Sequence, residues 1–241
     1  MKMAKQIQIV PKNLVFPTAR VLDKEDSELY QEVFRKTAEK YGKNSLAYRT
    51  ITNGIDAKDV TGSQFFWNTN LGSYLPKGQR VISLEDMEAI NDLDESFFTG
   101  YYSDAPEVCL RSDSTSYEKN KYIIENLVKQ VRGEKKEFSP ENPLRISGLE
   151  LIKDENSKNE WGLFLQIGQN TRMINDSRFG YSNNKREIPF GEKQKTVFTQ
   201  NNGLSGFCLG RDSGVYSGSG YLANSDDSGR VVVIDAEGVA S

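Results

Sequence analysis

Apolar residues recur at three- and four-residue steps after Asp26: Leu29, Tyr30, Val33, Phe34, Ala38 and Tyr41. That spacing predicts a helix over 27–41, with Gly42 placed to end it. Ser83-Leu84-Glu85-Asp86 reads as a capping box, and Met87, Ile90 and Leu93 follow on one face, so a second helix is expected over 84–93. A third stripe of Tyr117, Ile124, Leu127, Val128 and Val131 predicts a helix over 117–132, stopped by Gly133. Beyond Pro143 the period shortens. Residues 145–152 partly alternate and 161–167 form an apolar run of strand length, with 154–160 as the hairpin loop between them. Residues 196–199 read as a short strand before the turn Asn201-Asn202-Gly203. The apolar run 231–234 suits the buried centre of a sheet.

Elsewhere the pattern is weaker. Residues 43–82 are mixed and turn-rich, with Phe65-Phe66-Trp67 as a buried aromatic knot, and 168–195 read as a long irregular region. Residues 1–25 read as extended, Pro11 and Pro17 blocking a helix. An edge strand at 6–10 is expected to pair near the C-terminus. Helices first and sheet second place the chain in the α+β class, with a twisted antiparallel sheet. No Pro-, Gly- or Ser-rich linker divides it, so 1–241 is read as a single domain with an N-terminal helical elaboration.

Composition narrows the chemistry. The 241 residues carry a formal charge of −3, which argues against a general nucleic-acid binder. No apolar run approaches membrane-spanning length, and no signal segment is evident, so the expected location is cytoplasmic or reached by an unrecognised export route. The chain has no histidine, which removes the commonest general base and the commonest zinc ligand. Cys109 and Cys208 give no metal-ligand spacing and are expected to stay unpaired. Carboxylate pairs such as Asp104 with Glu107, Asp92 with Asp94 and Asp226 with Asp227 arise freely in so acidic a chain and are read as solvated faces. Gly214–Gly220 lacks the Gly-Lys-Ser/Thr ending of a phosphate loop. No catalytic residue, metal ligand or cofactor is expected.

The most unusual stretch is 203–235. Between Asn201 and Ala236 there is no Lys, Glu, Gln, Met or Trp, types that make up about a fifth of the chain. Randomising the two adenines of an asparagine codon reaches fifteen residue types and excludes those five together with stop codons. The scattered residues Ser205, Phe207, Cys208, Gly210, Asp212, Ser213, Tyr216, Ser217, Ser219, Tyr221, Asn224, Asp226 and Asp227 use that alphabet only. Leu209, Leu222, Ala223 and Gly229 to Ile234 stand among them as framework. Leu209-x-Arg211 followed by Leu222-Ala223-x-Ser225-x-x-x-Gly229-Arg230-Val231-Val232-Val233 resembles variable proteins of diversity-generating retroelements, those of nanoarchaea and small-genome bacteria above all. Leu46-Ala47-Tyr48-Arg49-Thr50, Phe65-Phe66-Trp67-Asn68, Leu75-Pro76-Lys77-Gly78, Asp104 to Val108, Leu110-Arg111-Ser112 and Ile146-Ser147-Gly148-Leu149 extend the resemblance over most of the chain.

The resemblance implies a C-type lectin-like fold whose C-terminal variable region, rewritten by adenine-directed copying, forms a ligand-binding face. The thirteen scattered residues are then the ligand-binding set. Calcium lectins of that fold use Glu-Pro-Asn and Trp-Asn-Asp motifs. Here Pro140-Glu141-Asn142-Pro143 has the wrong order and Trp67-Asn68-Thr69 lacks the acid, so calcium-independent recognition is expected, of an unknown diversified ligand with protein as the expected class, by a monomer. Independently of the family, Tyr216 and Tyr221 among Ser, Gly, Asn and Asp match the mixture that paratopes use. Arg211 and Arg230 are assigned to bracing the loops. The alternative is a small α+β enzyme or a lectin of fixed specificity.

Overall fold

The computed structural model describes residues 18–156, 159–180, 186–199, 202–212 and 214–235, with backbone alone at 6–8 and 186. Five helices form: α1 (Ser27–Tyr41), α2 (Leu46–Ile51), α3 (Phe65–Gly72), α4 (Leu84–Leu93) and α5 (Lys121–Gly133); the three periodic stripes become α1, α4 and α5, the last after a 3-10 turn at Glu118–Asn120. The Ser83 hydroxyl accepts from the Asp86 N–H, while the Asp86 carboxylate accepts from the Ser83 N–H, closing the capping box that starts α4. Helices α2 and α3 occupy the stretch expected to be turns. In α3, Phe65, Phe66, Trp67, Asn68, Asn70 and Leu71 are all buried, so no polar face marks it as a helix in sequence.

Thirteen strands are described: β1 (Gln6–Gln8), β2 (Thr18–Val21), β3 (Gln79–Val81), β4 (Ser103–Leu110), β5 (Leu144–Ser147), β6 (Glu150–Lys153), β7 (Leu163–Gln166), β8 (Arg172–Asn175), β9 (Arg186–Phe190), β10 (Lys193–Thr199), β11 (Leu204–Leu209), β12 (Val215–Ser217) and β13 (Val232–Asp235). The largest sheet curls in the order β8-β5-β4-β11-β12-β10-β9. All its pairings are antiparallel except β10 with β12. A second sheet runs β1-β2-β13-β3, and β6 with β7 forms the hairpin expected from the sequence. Strand β13 lies between β2 and β3 with Val231 to Ile234 buried. The edge strand at the N-terminus pairs with β2 rather than with the C-terminal strand.

The architecture is therefore α+β with an antiparallel-dominated, curled sheet. Residues 168–195 are a correction to the sequence reading: instead of an irregular region, they contribute β8, β9 and the start of β10. One hydrophobic cluster runs from Ala19 to Ile234 and joins the helices to both large sheets. Among the described residues no helix is long and apolar enough to cross a membrane. Pro11, Pro17 and Asn201 lie outside the described residues.

Candidate functional site

Within 203–235 the chain forms β11, β12 and β13, with the long loop 218–231 between the last two. Side chains alternate across β11, so Ser205, Phe207 and Leu209 point inward while Gly206 and Cys208 point outward. Strand β12 repeats this, with Val215 and Ser217 inward and Tyr216 outward. The ladder aligns Asp104 of β4 with Cys208, Cys208 with Tyr216, and Tyr216 with Phe198 of β10. One row of side chains thus crosses four strands on the outward face. The rings of Tyr216 and Phe198 stack at 4.8 Å, 7° from parallel.

Asp104, Cys208 and Tyr216 of that row floor a concavity of about 370 Å³. Eight of the thirteen candidate residues line it: Cys208, Gly210, Asp212, Tyr216, Ser219, Tyr221, Asn224 and Asp226. Phe65, Tyr102, Asp104, Gly206, Arg211 and Leu222 supply the remainder of its floor and walls. The Tyr216 hydroxyl donates to Asp212 Oδ2 at 2.8 Å, and the Gly214 N–H donates to Asp212 Oδ1 at 3.0 Å. Burial, with Asp212 adding to it, pushes the Tyr216 phenol up to about 12. A side chain at Gly210 would bring its Cβ to 2.6 Å from the Tyr216 ring, so the glycine admits that ring. Tyr221 is half-exposed and stacks on Trp161 (5.5 Å) and Tyr117 (6.0 Å), with Lys119 Nζ 5.8 Å from its centroid. Buried Asn120 ties this corner together. Its Nδ2 donates to the carbonyls of Leu204 and Gly220, and its Oδ1 accepts from Trp161 Nε1 at 3.0 Å.

Three candidates are corrected. Ser205, Phe207 and Ser217 are fully buried and face away from the concavity. Phe207 packs edge-on against Phe179 at 4.8 Å. Ser205 and Ser217 instead solvate Arg111, which is itself fully buried. Its Nη1 donates to Ser205 Oγ at 2.8 Å, Nη2 to the Ser217 carbonyl and hydroxyl at 3.2 Å, and Nε to the Phe179 carbonyl at 3.1 Å. Gly210 lines the concavity but is buried, and Asp227 is exposed beyond its rim. Ser213 lies outside the described residues.

The framework residues brace the loop 218–231. Asn53 Nδ2 donates to the Ala223 carbonyl at 2.8 Å, and Ser225 Oγ accepts from the Ser63 N–H at 3.0 Å and donates to the Gly54 carbonyl. At Gly229 an added Cβ would come within 2.5 Å of Ser63 N, so only glycine fits. Arg211 donates to Ser228 Oγ, and Arg230 Nη1 donates to the carbonyls of Asp227 and Gly229, both at 2.6 Å.

Asp104 and Glu107 are not a solvated pair. Burial holds the Asp104 carboxyl well above the usual range against the pull of the Ser63 hydroxyl, and Asp226 adds to the rise. Glu107 stands on the opposite face of β4 beside a polar cavity of about 940 Å³ and is pushed up to about 7 by burial, against the pull of Arg145. Its Oε1 accepts from the Leu84 N–H at the start of α4, and its Oε2 lies 3.6 Å from Arg145 Nε. Cys109 and Cys208 are both free thiols. Sequence reasoning missed Arg111, Asn120, Trp161, Phe198 and Tyr102, because they lie outside the compositionally unusual stretch. Alternation within 204–209 and 215–217 was the available signal for the three inward residues. Comparison with family models, with curated proteins and with solved structures finds no match to this chain.

Proposed function

We propose that the chain is a binding protein of the diversity-generating retroelement type, with a C-type lectin-like fold, whose outward strand face and following loop form a rewritable ligand site. One observation carries the reading: eight of the thirteen scattered residues, all between Cys208 and Asp226, line one concavity. Amphipathic rings at Tyr216 and Tyr221 beside short polar side chains supply contact area with little side-chain entropy to lose. Asn53 and the Gly62 N–H hold the carbonyls of Ala223 and Gly229 from outside the loop, and the framework hydroxyl of Ser225 meets the Ser63 N–H, so the scattered side chains can change while the loop's path is kept. The ligand class that suits such a face is a protein, recognised without a metal.

The decisive test is genomic. A near-copy of the DNA encoding 203–235, differing almost only where the copy has adenine and lying beside a reverse transcriptase gene, is expected. Its absence would remove the reading.

The second reading, a thiol enzyme, draws on Cys208 standing beside Asp104 in the concavity. Burial, then Asp104 and Asp212, push that thiol well above its ordinary range. A nucleophilic cysteine needs the opposite, a stabilised thiolate, and the chain has no histidine to take the proton. Binding is therefore favoured over catalysis.

A further inference from the structure

One carboxyl at the floor of the concavity is not encoded by the rewritable stretch. Asp104 belongs to β4, and its ladder partner is Cys208, so both side chains stand on the outward face. Its backbone is engaged on both sides: the N–H donates to Ser63 Oγ at 2.9 Å, and the carbonyl accepts from Asn68 Nδ2 at 2.7 Å. Its Oδ2 is buried and has no hydrogen-bond partner. A buried carboxyl oxygen left this way is costly until it holds a proton or meets a donor.

The surroundings decide which donor suits it. Asp212 and Asp226 bring two more carboxyls to the same concavity. Burial followed by Asp104 raises the neighbouring Tyr102 phenol to about 12. Arg211 is the one basic side chain among the described lining residues, and it is directed to Ser228 and, at 3.8 Å, to Asp226. With Arg211 set against Asp226, the Asp212 carboxylate leaves the lining net negative and disfavours an anion, and a neutral group gains nothing from that charge. A cation gains both from the charges and from the aromatic faces beside them.

We propose, building on the binding-face reading, that the concavity receives a lysine or arginine side chain of a protein ligand, its charged end at the Asp104 carboxyl and its aliphatic stem against Tyr102 and Tyr216. Asp104 lies outside 203–235. Variants of that stretch would therefore change the walls of the concavity while keeping its preference for a cation. Entry of the cation displaces the proton that burial favours on the carboxyl, and that proton passes to the buffer.

The test titrates the full chain with N-acetyl-lysine methylamide, N-acetyl-arginine methylamide and the neutral N-acetyl-norleucine methylamide, followed by backbone amide NMR shifts. The cationic probes are expected to bind roughly tenfold more tightly than norleucine, about 1.4 kcal/mol. Their shifts should centre on Cys208, Tyr216 and the residues around Asp104. Asp104→Asn should bring the three probes level while leaving the fold intact, as checked by melting temperature. Calorimetry on the unaltered protein in two buffers of different ionisation enthalpy gives a readout that needs no variant, since lysine binding should release protons. The proposal is overturned if norleucine binds as well as lysine, if Asp104→Asn keeps the preference, or if no probe gives a saturable shift at this face. Equal binding of norleucine and lysine here would remove the cation anchor but leave the binding face. A lysine preference without any adenine-marked template copy would do the reverse.

Discussion

Strands β11 and β12 present two sides of one short stretch, and the two sides differ in what they can tolerate. Inward, Ser205, Phe207 and Ser217 complete a close-packed interior around Phe179 and the buried guanidinium of Arg111. Outward, Cys208 and Tyr216 floor an open concavity, and the loop that follows adds Ser219, Tyr221, Asn224 and Asp226 to its walls. Both sides draw on the same small and aromatic residue types. The lesson is that residue alphabet reports how a stretch was composed, while strand parity reports which of its side chains can meet a ligand.

Two aromatic residues nine positions apart give the sharpest way to break that comparison. Phe207→Ala should cost about 3–5 kcal/mol, the range for a buried phenylalanine, read from denaturant or thermal unfolding. Tyr216→Ala should cost about 1 kcal/mol or less in the same measurement. Equal losses would mean that both faces are interior. Against a cognate protein ligand the order should reverse, with Tyr216→Ala or Tyr221→Ala losing on the order of 1–2 kcal/mol of binding.

Next in size are the serines. Ser205→Ala and Ser217→Ala each remove a hydrogen-bond acceptor from buried Arg111 and should each cost about 1–3 kcal/mol. Their double mutant should depart from additivity, because both hydroxyls serve one guanidinium. Strictly additive losses would show that the two sites do not share Arg111.

Strand β4 offers the same contrast in carboxyls, with Asp104 outward and Glu107 inward. The folded-state value of Glu107, about 7, lies above its ordinary 4.5. The folded chain therefore binds the proton more tightly than the unfolded chain, and stability is lost as pH rises from 4.5 through 7. Glu107→Gln should flatten that fall, on the order of 1–3 kcal/mol, in unfolding curves taken across the pH range. A slope unchanged by the substitution would show that Glu107 stays ionised beside Arg145.

The smallest effects belong to the exposed rim. Asn224→Ala and Asp227→Ala should change stability by about 0.5 kcal/mol or less. Chelator should leave the melting temperature where it was. A shift of several degrees would reveal a bound metal, since a ligand held only by the folded state stabilises it by mass action.

The helices with a polar face were legible in sequence. The stripe from Leu29 to Tyr41 and the capping box at Ser83 predicted α1 and α4 with the bounds observed. Helix α3 was not, because packing on all sides leaves no stripe to read. Strand β4 was hidden for another reason: Asp104, Pro106 and Glu107 interrupt its apolar pattern, and Glu107 is buried. Pro189 in β9 and the consecutive Lys193-Gln194-Lys195 of β10, the last of them buried, break the apolar alternation and read as loop. Within the site, composition found the stretch but not which of its residues face outward. It could not find Asp104 or Arg111, which are supplied by the neighbouring strand and by the turn after it, because the pairing of β4 with β11 has no signature in either segment alone.

The Arg111 network also has a consequence for evolutionary yield. If the stretch is rewritten as a set, each draw that changes Ser205 or Ser217 is also a draw on whether Arg111 keeps its acceptors. Many such chains would be lost to misfolding before any ligand could select among them. Sister sequences recovered from living cells should then look far less diverse at 205, 207 and 217 than at 212, 216, 221 and 224, even where the mutagenic machinery strikes all seven codons equally. The surviving repertoire would be a record of folding as much as of recognition.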